Sequence, residues 1–284
     1  MRLFSLIGSL IRTVFFLLFI GLMLAIFSVI FSHENPKGNI AVVEINGPID
    51  ESTEVVKDIK KYREDDQIKA IILRVDSPGG AVGASQEVYD EVIKTKAVKP
   101  VIASFGNMAA SGGYYVSASA SKIVANPGTL TGSIGVITQF FMVDDILKKF
   151  HLKWEIIKSG SNKDIGSPLR PMTPEEKKLI QDMVSDVHDQ FVTAVSDGRK
   201  LEKEKVKLFA DGRIFSGRKA KELGLVDELG GMEKAIEVAV TEAKLSEKPD
   251  VIYPSKDKYK FWDQLAEGKL SFPNLFKMEY RFHL

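Results

Sequence analysis

Ser111 and Lys163 are the two residues of this sequence whose type and setting suit nucleophilic chemistry. Ser111 stands in NMAASGGYY and Lys163 in KSGSNKDIGSP, both segments rich in glycine and small hydroxyls. A serine hydroxyl attacks a carbonyl at a useful rate only when a base takes its proton, and histidine is the usual base. No histidine lies beside either segment: His33 borders an apolar run, His151 sits in KKFHLKW, His188 falls among acidic neighbours in a predicted helix, and His283 is next to last. A lysine is the better candidate, in a Ser-Lys variant of the triad logic. An ordinary lysine, with a pKa of about 10.4, is neutral in about one molecule in 2,500 at pH 7, so a lysine base must be desolvated. Lys158 and Lys163 share one loop, and the residues alone leave both open.

Three further constellations accompany the pair. Asp76-Ser77-Pro78-Gly79-Gly80 follows an apolar strand-like run, and strand ends in α/β sheets are where ligands bind. Gly-Gly lets backbone N–H groups turn outward and approach a substrate; a dinucleotide fingerprint is excluded, because G-x-G-x-x-G cannot be matched in GGAVGAS. Ser111 opens a predicted helix whose first N–H groups are unpaired, so the amide of Gly112, with one from Gly79 or Gly80, suits an oxyanion. An N-cap serine looks the same. In Thr129-Leu130-Thr131-Gly132-Ser133-Ile134-Gly135, Ser133 is suited to aim the lysine by a hydrogen bond, although these residue types equally make turns.

The elements that must position these groups follow from the pattern of the chain. Its 284 residues carry a net charge of +1 and no cysteine. Near-neutrality without a basic, aromatic-interleaved run argues against a nucleic-acid partner, and the missing cysteines exclude disulfides, thiolate catalysis and cysteine-ligated zinc. No cofactor or metal is expected. Residues 13–32 hold no charge and as a helix span about 30 Å, a bilayer core. Their length and the lack of an A-x-A-like site favour an uncleaved anchor over a signal peptide. Arg2 and Arg12 on one flank favour a cytoplasmic N-terminus for residues 1–12 and a catalytic domain outside the cytoplasm.

Beyond the anchor, NIAVVEIN and AIILRVDS read as strands and STEVVKDIKKYRED and GASQEVYDEVIKTKA as helices; PVIASF, KIVAN, SIGVITQFF and KWEIIKSG continue the strand-like series. Such alternation predicts an α/β fold with a mainly parallel sheet over residues 38–245. A long helix from Pro174 to about Arg199 is announced by Thr173 as N-cap, Pro at the first helical position and acids in the first turn. Shorter helices are expected from Ser216 to Gly224 and from Met232 to about Ala243. Residues 246–284 mix aromatics and lysines without a long period and read as a docking or membrane-touching tail.

Taken together, the apolar anchor, DSPGG, MAASGGYY, TGSIGV, SGSNKDIGSP and ADGRIFSGRKAKELGLVDELGG resemble the signal peptide peptidase A family of membrane serine proteases, in its short single-domain form. The resemblance implies a ClpP/crotonase-like fold, a homo-oligomer and a Ser-Lys dyad. It places the nucleophile on Ser111, the base on Lys163 rather than Lys158, the assisting serine on Ser133, and the oxyanion amides on Gly80 and Gly112, with Gly79 as an alternative. It further implies apolar peptide substrates, the remnants of cleaved signal peptides, met at the membrane lipid. An acyl-CoA enzyme of the crotonase type needs neither Ser111 nor an anchor, and a Ser-His-Asp triad lacks its histidine. The remaining rival is a catalytically inactive crotonase-like membrane scaffold.

Overall fold

The computed structural model describes residues 14–24, 38–246 and 248–254. The chain divides into two units, one holding α1 (residues 14–24) and the other the sheet that begins with β1. The side chains of α1, Phe15, Phe16 and Leu17 among them, are exposed. No helix among the described residues is long and apolar enough to cross a membrane. Residues 13 and 25–32 of the expected anchor lie outside the described residues, as does most of the expected tail.

In the second unit, β1 (Ile40–Asn46), β2 (Ala70–Ser77) and β3 (Val101–Ala110) form the centre of an eight-stranded sheet. These three strands are parallel neighbours, and their β-branched runs are buried on both faces, as parallel sheets covered by helices require. Alternation sorts the side chains by face. Val43, Ile71, Leu73, Ala103 and Phe105 belong to the larger core cluster; Ile40, Val42, Ile72 and Ile102 belong to the smaller one, together with Ala235, Ile236 and Ala239 of α9 (Met232–Glu242). The large cluster is packed by α2 (Thr53–Glu64), α3 (Val82–Lys96), α4 (Gly112–Ser117) and α6 (Pro174–Arg199).

The ten residues of β3 serve two neighbours. Ile102–Ser104 pair with β4 (Lys122–Ala125), and Met108–Ala110 pair with β5 (Leu130–Gly132). The switch needs room at Gly106, where a Cβ would lie 2.7 Å from the Asp76 carboxylate. That carboxylate accepts hydrogen bonds from Met108 N–H (3.1 Å) and Asn107 Nδ2 (2.8 Å), where the β2–β3 register shifts between Val75 and Ser77. The result is a strand end carried clear of β4 and delivered to β5. β6 (Ile214–Ser216) closes that edge as the antiparallel partner of β5.

The helix ends obey the sequence. Thr173 and Glu176 form a complete capping box at α6, Pro174 occupies its first position, and Lys200 ends it in a left-handed conformation. α7 (Lys203–Lys207) follows. Ser216 caps α8 (Gly217–Leu223) and Gly224 closes it at φ +81°.

Two strand expectations shift. The apolar run SIGVITQFF is not a strand: pairing stops at Gly132, because Ser133 adopts φ +50° and leaves the extended region. KWEIIKSG likewise forms no strand, and α5 (Asp144–Lys149) precedes it. Phe141, Phe150, Trp154 and Ile157 of this stretch are exposed, Ile157 almost completely. The last strands are β7 (Glu228–Leu229), which pairs β4, and β8 (Val251–Ile252). β8 pairs β1 with Ile252 buried, so the folded unit runs past the expected boundary at residue 245.

Candidate active site

Ser111 sits at the junction of β3 and α4, with φ +54° and ψ −121°. A non-glycine residue rarely adopts this conformation, and it persists only where the surroundings over-determine it. Here the surroundings are plain. Ser111 N–H donates to Gly132 O at 2.9 Å, and Ser111 O accepts from Tyr115 N–H at 2.8 Å. Below, Tyr114 is fully buried and its hydroxyl donates to Leu225 O at 2.9 Å. Tyr115 stands between the rings of Tyr89 and Phe191, at 5.0 and 4.9 Å. Burial pushes the Tyr89 hydroxyl up to about 12 and that of Tyr114 higher still, so both stay neutral.

The serine side chain makes no capping bond to α4. Its Oγ is buried and has no hydrogen-bond partner among the described residues. A capping serine accepts from an N–H two or three residues on, and Ser111 makes no such bond. An unbonded, buried hydroxyl on a strained backbone is otherwise a cost with no structural return.

Gly112 follows this residue and lies against Gly80. A Cβ on Gly112 would lie 2.7 Å from Ser85 Oγ, 3.1 Å from Gly80 N and 3.2 Å from Gly79 Cα. The two backbone segments therefore touch through glycine alone. The Gly112 N–H, first in α4, has no carbonyl one turn back within the helix. Gly79 N–H donates to Ser77 Oγ at 3.1 Å, Gly79 O accepts from Ile49 N–H, and Ala81 N–H donates to Ile49 O. Among the described residues, Gly80 is the member of this trio whose N–H has no acceptor. Its own lack of a Cβ is obligatory, since one would lie 2.3 Å from Ile49 O.

Ser133 is brought to the same place. The β3–β5 register ends with Ala110 opposite Gly132, so Ser111 and Ser133 follow as the next residue of each strand. Ser133 is buried, at φ +50°, and its N–H donates to Arg213 O at 2.8 Å. Arg213 is itself held by Asp211, whose carboxyl the guanidinium draws down to about 2. The ADGRIFSG segment thus supports Ser133 next to the end of β5. Its residue types alone did not suggest this role, nor the part Ser77 and Asp76 play in fixing the two amides.

Lys163 is not brought into this group. It is exposed, in a loop of successive turns closed by Lys163 N–H to Gly160 O (3.1 Å), Ile165 N–H to Asn162 O (3.1 Å) and Ser167 N–H to Asp164 O (3.0 Å). Among the described residues its ammonium makes no hydrogen bond or ion pair. Lys158 is occupied, donating to Ser161 O at 2.7 Å and to Asp164 Oδ1 at 2.5 Å. Of the two loop lysines, then, one is a brace and the other is unengaged.

This combination, a largely parallel α/β sheet whose longest described strand ends on a strained serine followed by a glycine packed on Gly80, agrees with comparisons to known proteins. The model of Peptidase family S49 matches residues 93–246, and that of Clp protease matches residues 39–129. A Synechocystis sp. protein named as a candidate protease is 45% identical over 215 residues, 75% of this chain and 76% of its own. An Enterococcus faecium protein named as a candidate signal peptide peptidase SppA is 41% identical over 196 residues, 69% of this chain and 57% of its own. Protease 4 of Salmonella typhi is 37% identical over 220 residues, 74% of this chain but only 35% of its own. The class is that of a serine peptidase. The chain belongs to peptidase family S49.

Proposed function

We propose that the protein is a membrane-anchored serine endopeptidase that uses Ser111 and Lys163 as a catalytic dyad on apolar peptides, cleaved signal peptides among them. The observation that carries this reading is the Ser111 hydroxyl, buried and unbonded on a strained backbone. In this mechanism Ser111 Oγ attacks the substrate carbonyl and neutral Lys163 takes its proton. The Gly80 and Gly112 N–H groups receive the oxyanion, Ser133 aims the lysine, and the protonated lysine returns the proton to the leaving amine. Water then repeats the sequence on the acyl-enzyme.

Lys163 reaches Ser111 when chains associate. Its unengaged ammonium and the exposed side chains of Phe141, Phe150, Trp154 and Ile157 in the stretch before it support that reading. An anchor over residues 13–32, with the catalytic unit outside the cytoplasm, places the site where apolar peptide remnants partition. Protease added to spheroplasts is expected to cut the catalytic unit; cutting only after lysis would put it in the cytoplasm.

The test of the dyad is a set of single variants and one mixture. Ser111→Ala and Lys163→Ala are each expected to be inactive on an apolar peptide ester, and Lys158→Ala to stay active. Mixing the two inactive proteins and allowing them to reassociate restores part of the activity, since some sites then combine an intact Ser111 with an intact Lys163. An active Lys163→Ala protein would overturn the assignment of the base. Failure of the parent to react with a serine-directed fluorophosphonate, alongside absent activity, would favour the inactive scaffold.

A further inference from the structure

The loop that carries Lys163 is built around one guanidinium. Arg170 Nε donates to Asp164 Oδ2 at 2.7 Å and Nη2 to Asp164 Oδ1 at 2.8 Å. Nη1 donates to Glu176 Oε2 at 2.8 Å and to Pro171 O at 3.1 Å, while Nη2 also donates to Glu176 Oε1 at 2.5 Å. An arginine has five N–H donors in a rigid fork, and here all five are used. Glu176 is the third residue of α6 and accepts from Thr173 N–H at 2.9 Å, closing the capping box. Arg170 therefore ties the residue after Lys163 to the first turn of the longest helix.

The second end of the loop is fixed independently. Gly166, at φ +76°, lies so close to the Phe140 ring that a Cβ would sit 2.3 Å from it, and Pro168 O accepts from Val143 N–H at 2.8 Å. The charges in the clamp balance: Lys158 and Arg170 face Asp164, Arg170 faces Glu176, and two positive groups meet two negative ones. This matters because Asp164 is the next residue to Lys163. A free carboxylate there would favour the ammonium form of the lysine, the opposite of what a base needs.

We propose that Arg170 is a positioning residue for Lys163, holding the loop to α6 and keeping the Asp164 carboxylate engaged away from the lysine beside it. This rests on reading Lys163 as the base. The reach of the guanidinium makes the role specific, since a lysine at 170 offers three donors and no fork.

The test uses the full chain with Arg170→Ala, Arg170→Lys and Arg170→Ala/Asp164→Asn. On an apolar peptide ester, kcat of both single variants is expected to fall about 10- to 100-fold, as misplaced catalytic groups do, with KM changed less than about threefold. The acidic limb of the Arg170→Ala rate profile is expected to move to higher pH by about one unit, because Lys158 alone is then left to balance Asp164 and Glu176 near the base. In the double variant the limb returns towards the parent's position, because the carboxylate is gone. A residue that merely stabilises the fold would lower the melting temperature and leave the limb in place. Where Arg170→Ala does not fold, Arg170→Gln carries the same test.

The pH dependence of Lys163 modification by an amine reagent, read by peptide mass mapping, follows the same shift without any turnover. If Lys163→Ala stays active, the base assignment fails while the amine readout still reports on Arg170. If Arg170→Ala folds cooperatively, keeps kcat/KM within about twofold, and leaves both profiles unmoved, the positioning role is wrong.

Discussion

Replacing Ser111 by alanine should make the protein more stable as it abolishes activity. A serine at a helix N-cap normally costs about 0.5–2 kcal/mol when changed to alanine, but Ser111 makes no capping bond, so that loss does not arise. What alanine removes is a buried, unbonded hydroxyl, whose burial costs about 1–3 kcal/mol. The backbone conformation is the same for both residues, so the strain at φ +54° stays and does not enter the difference. For a domain of this size each kcal/mol moves the melting temperature by about 2–4 °C.

The cleanest measurement places Ser111→Ala in two backgrounds, parent and Lys163→Ala, and follows calorimetric unfolding with ester hydrolysis. In the Lys163→Ala background the hydroxyl has no lysine to bond in any assembly, and the full gain of about 1–3 kcal/mol is expected. In the parent the gain should be smaller by the worth of a Ser–Lys hydrogen bond, about 0.5–1.5 kcal/mol, and the difference is the coupling energy of the dyad. Activity should fall at least about 10⁴-fold in the parent background and change little in the Lys163→Ala background, which is already inactive. A loss of stability on Ser111→Ala in the Lys163→Ala background would show a structural role for the hydroxyl and refute the argument from its unbonded state.

Two further outcomes are expected. Gly112→Ala drives a Cβ against Ser85 Oγ and the Gly80 amide, so kcat should drop about 10²- to 10³-fold, as on losing one oxyanion donor; adding Ser85→Ala should recover melting temperature and not rate, and recovery of both would remove Gly80 from the site. In the acid range, Arg170 holds the Asp164 carboxyl well below its usual value and takes Glu176 from 4.5 to about 2. Both folded values are depressed, so their stabilisation is complete above about pH 4.5 and drains away as pH falls towards 2. The melting temperature of the parent should therefore fall more steeply between pH 4.5 and 2 than that of Arg170→Ala, and equal slopes would contradict the clamp.

Burial and capping are local signals, and where they operate the sequence was legible. The Val/Ile runs of β1, β2 and β3 and the Thr173-Pro174-Glu175-Glu176 start of α6 each declare an element through residues that touch one another along the chain. β5 was misplaced because SIGVITQFF has the composition of a buried strand, yet Ser133 turns the chain out of the extended region before it begins. β8 has two residues, too few for any period to show. In the site, the glycines and hydroxyls can be found by type, but the contacts that tell them apart come from residues the local motif does not reveal. Ser77 takes the Gly79 N–H and leaves that of Gly80 without an acceptor among the described residues. Asp164 takes the Lys158 ammonium, none of the described residues takes that of Lys163, and the carboxylate is in turn positioned by Arg170 from six residues further on. Ser111 is the sharpest case, since nucleophile and cap share one residue type and one helix start. A single dihedral and a missing bond set Ser111 apart from a capping serine, and the groups that hold it so, Gly132 of β5 and the Leu225 carbonyl that anchors Tyr114, lie outside MAASGGYY.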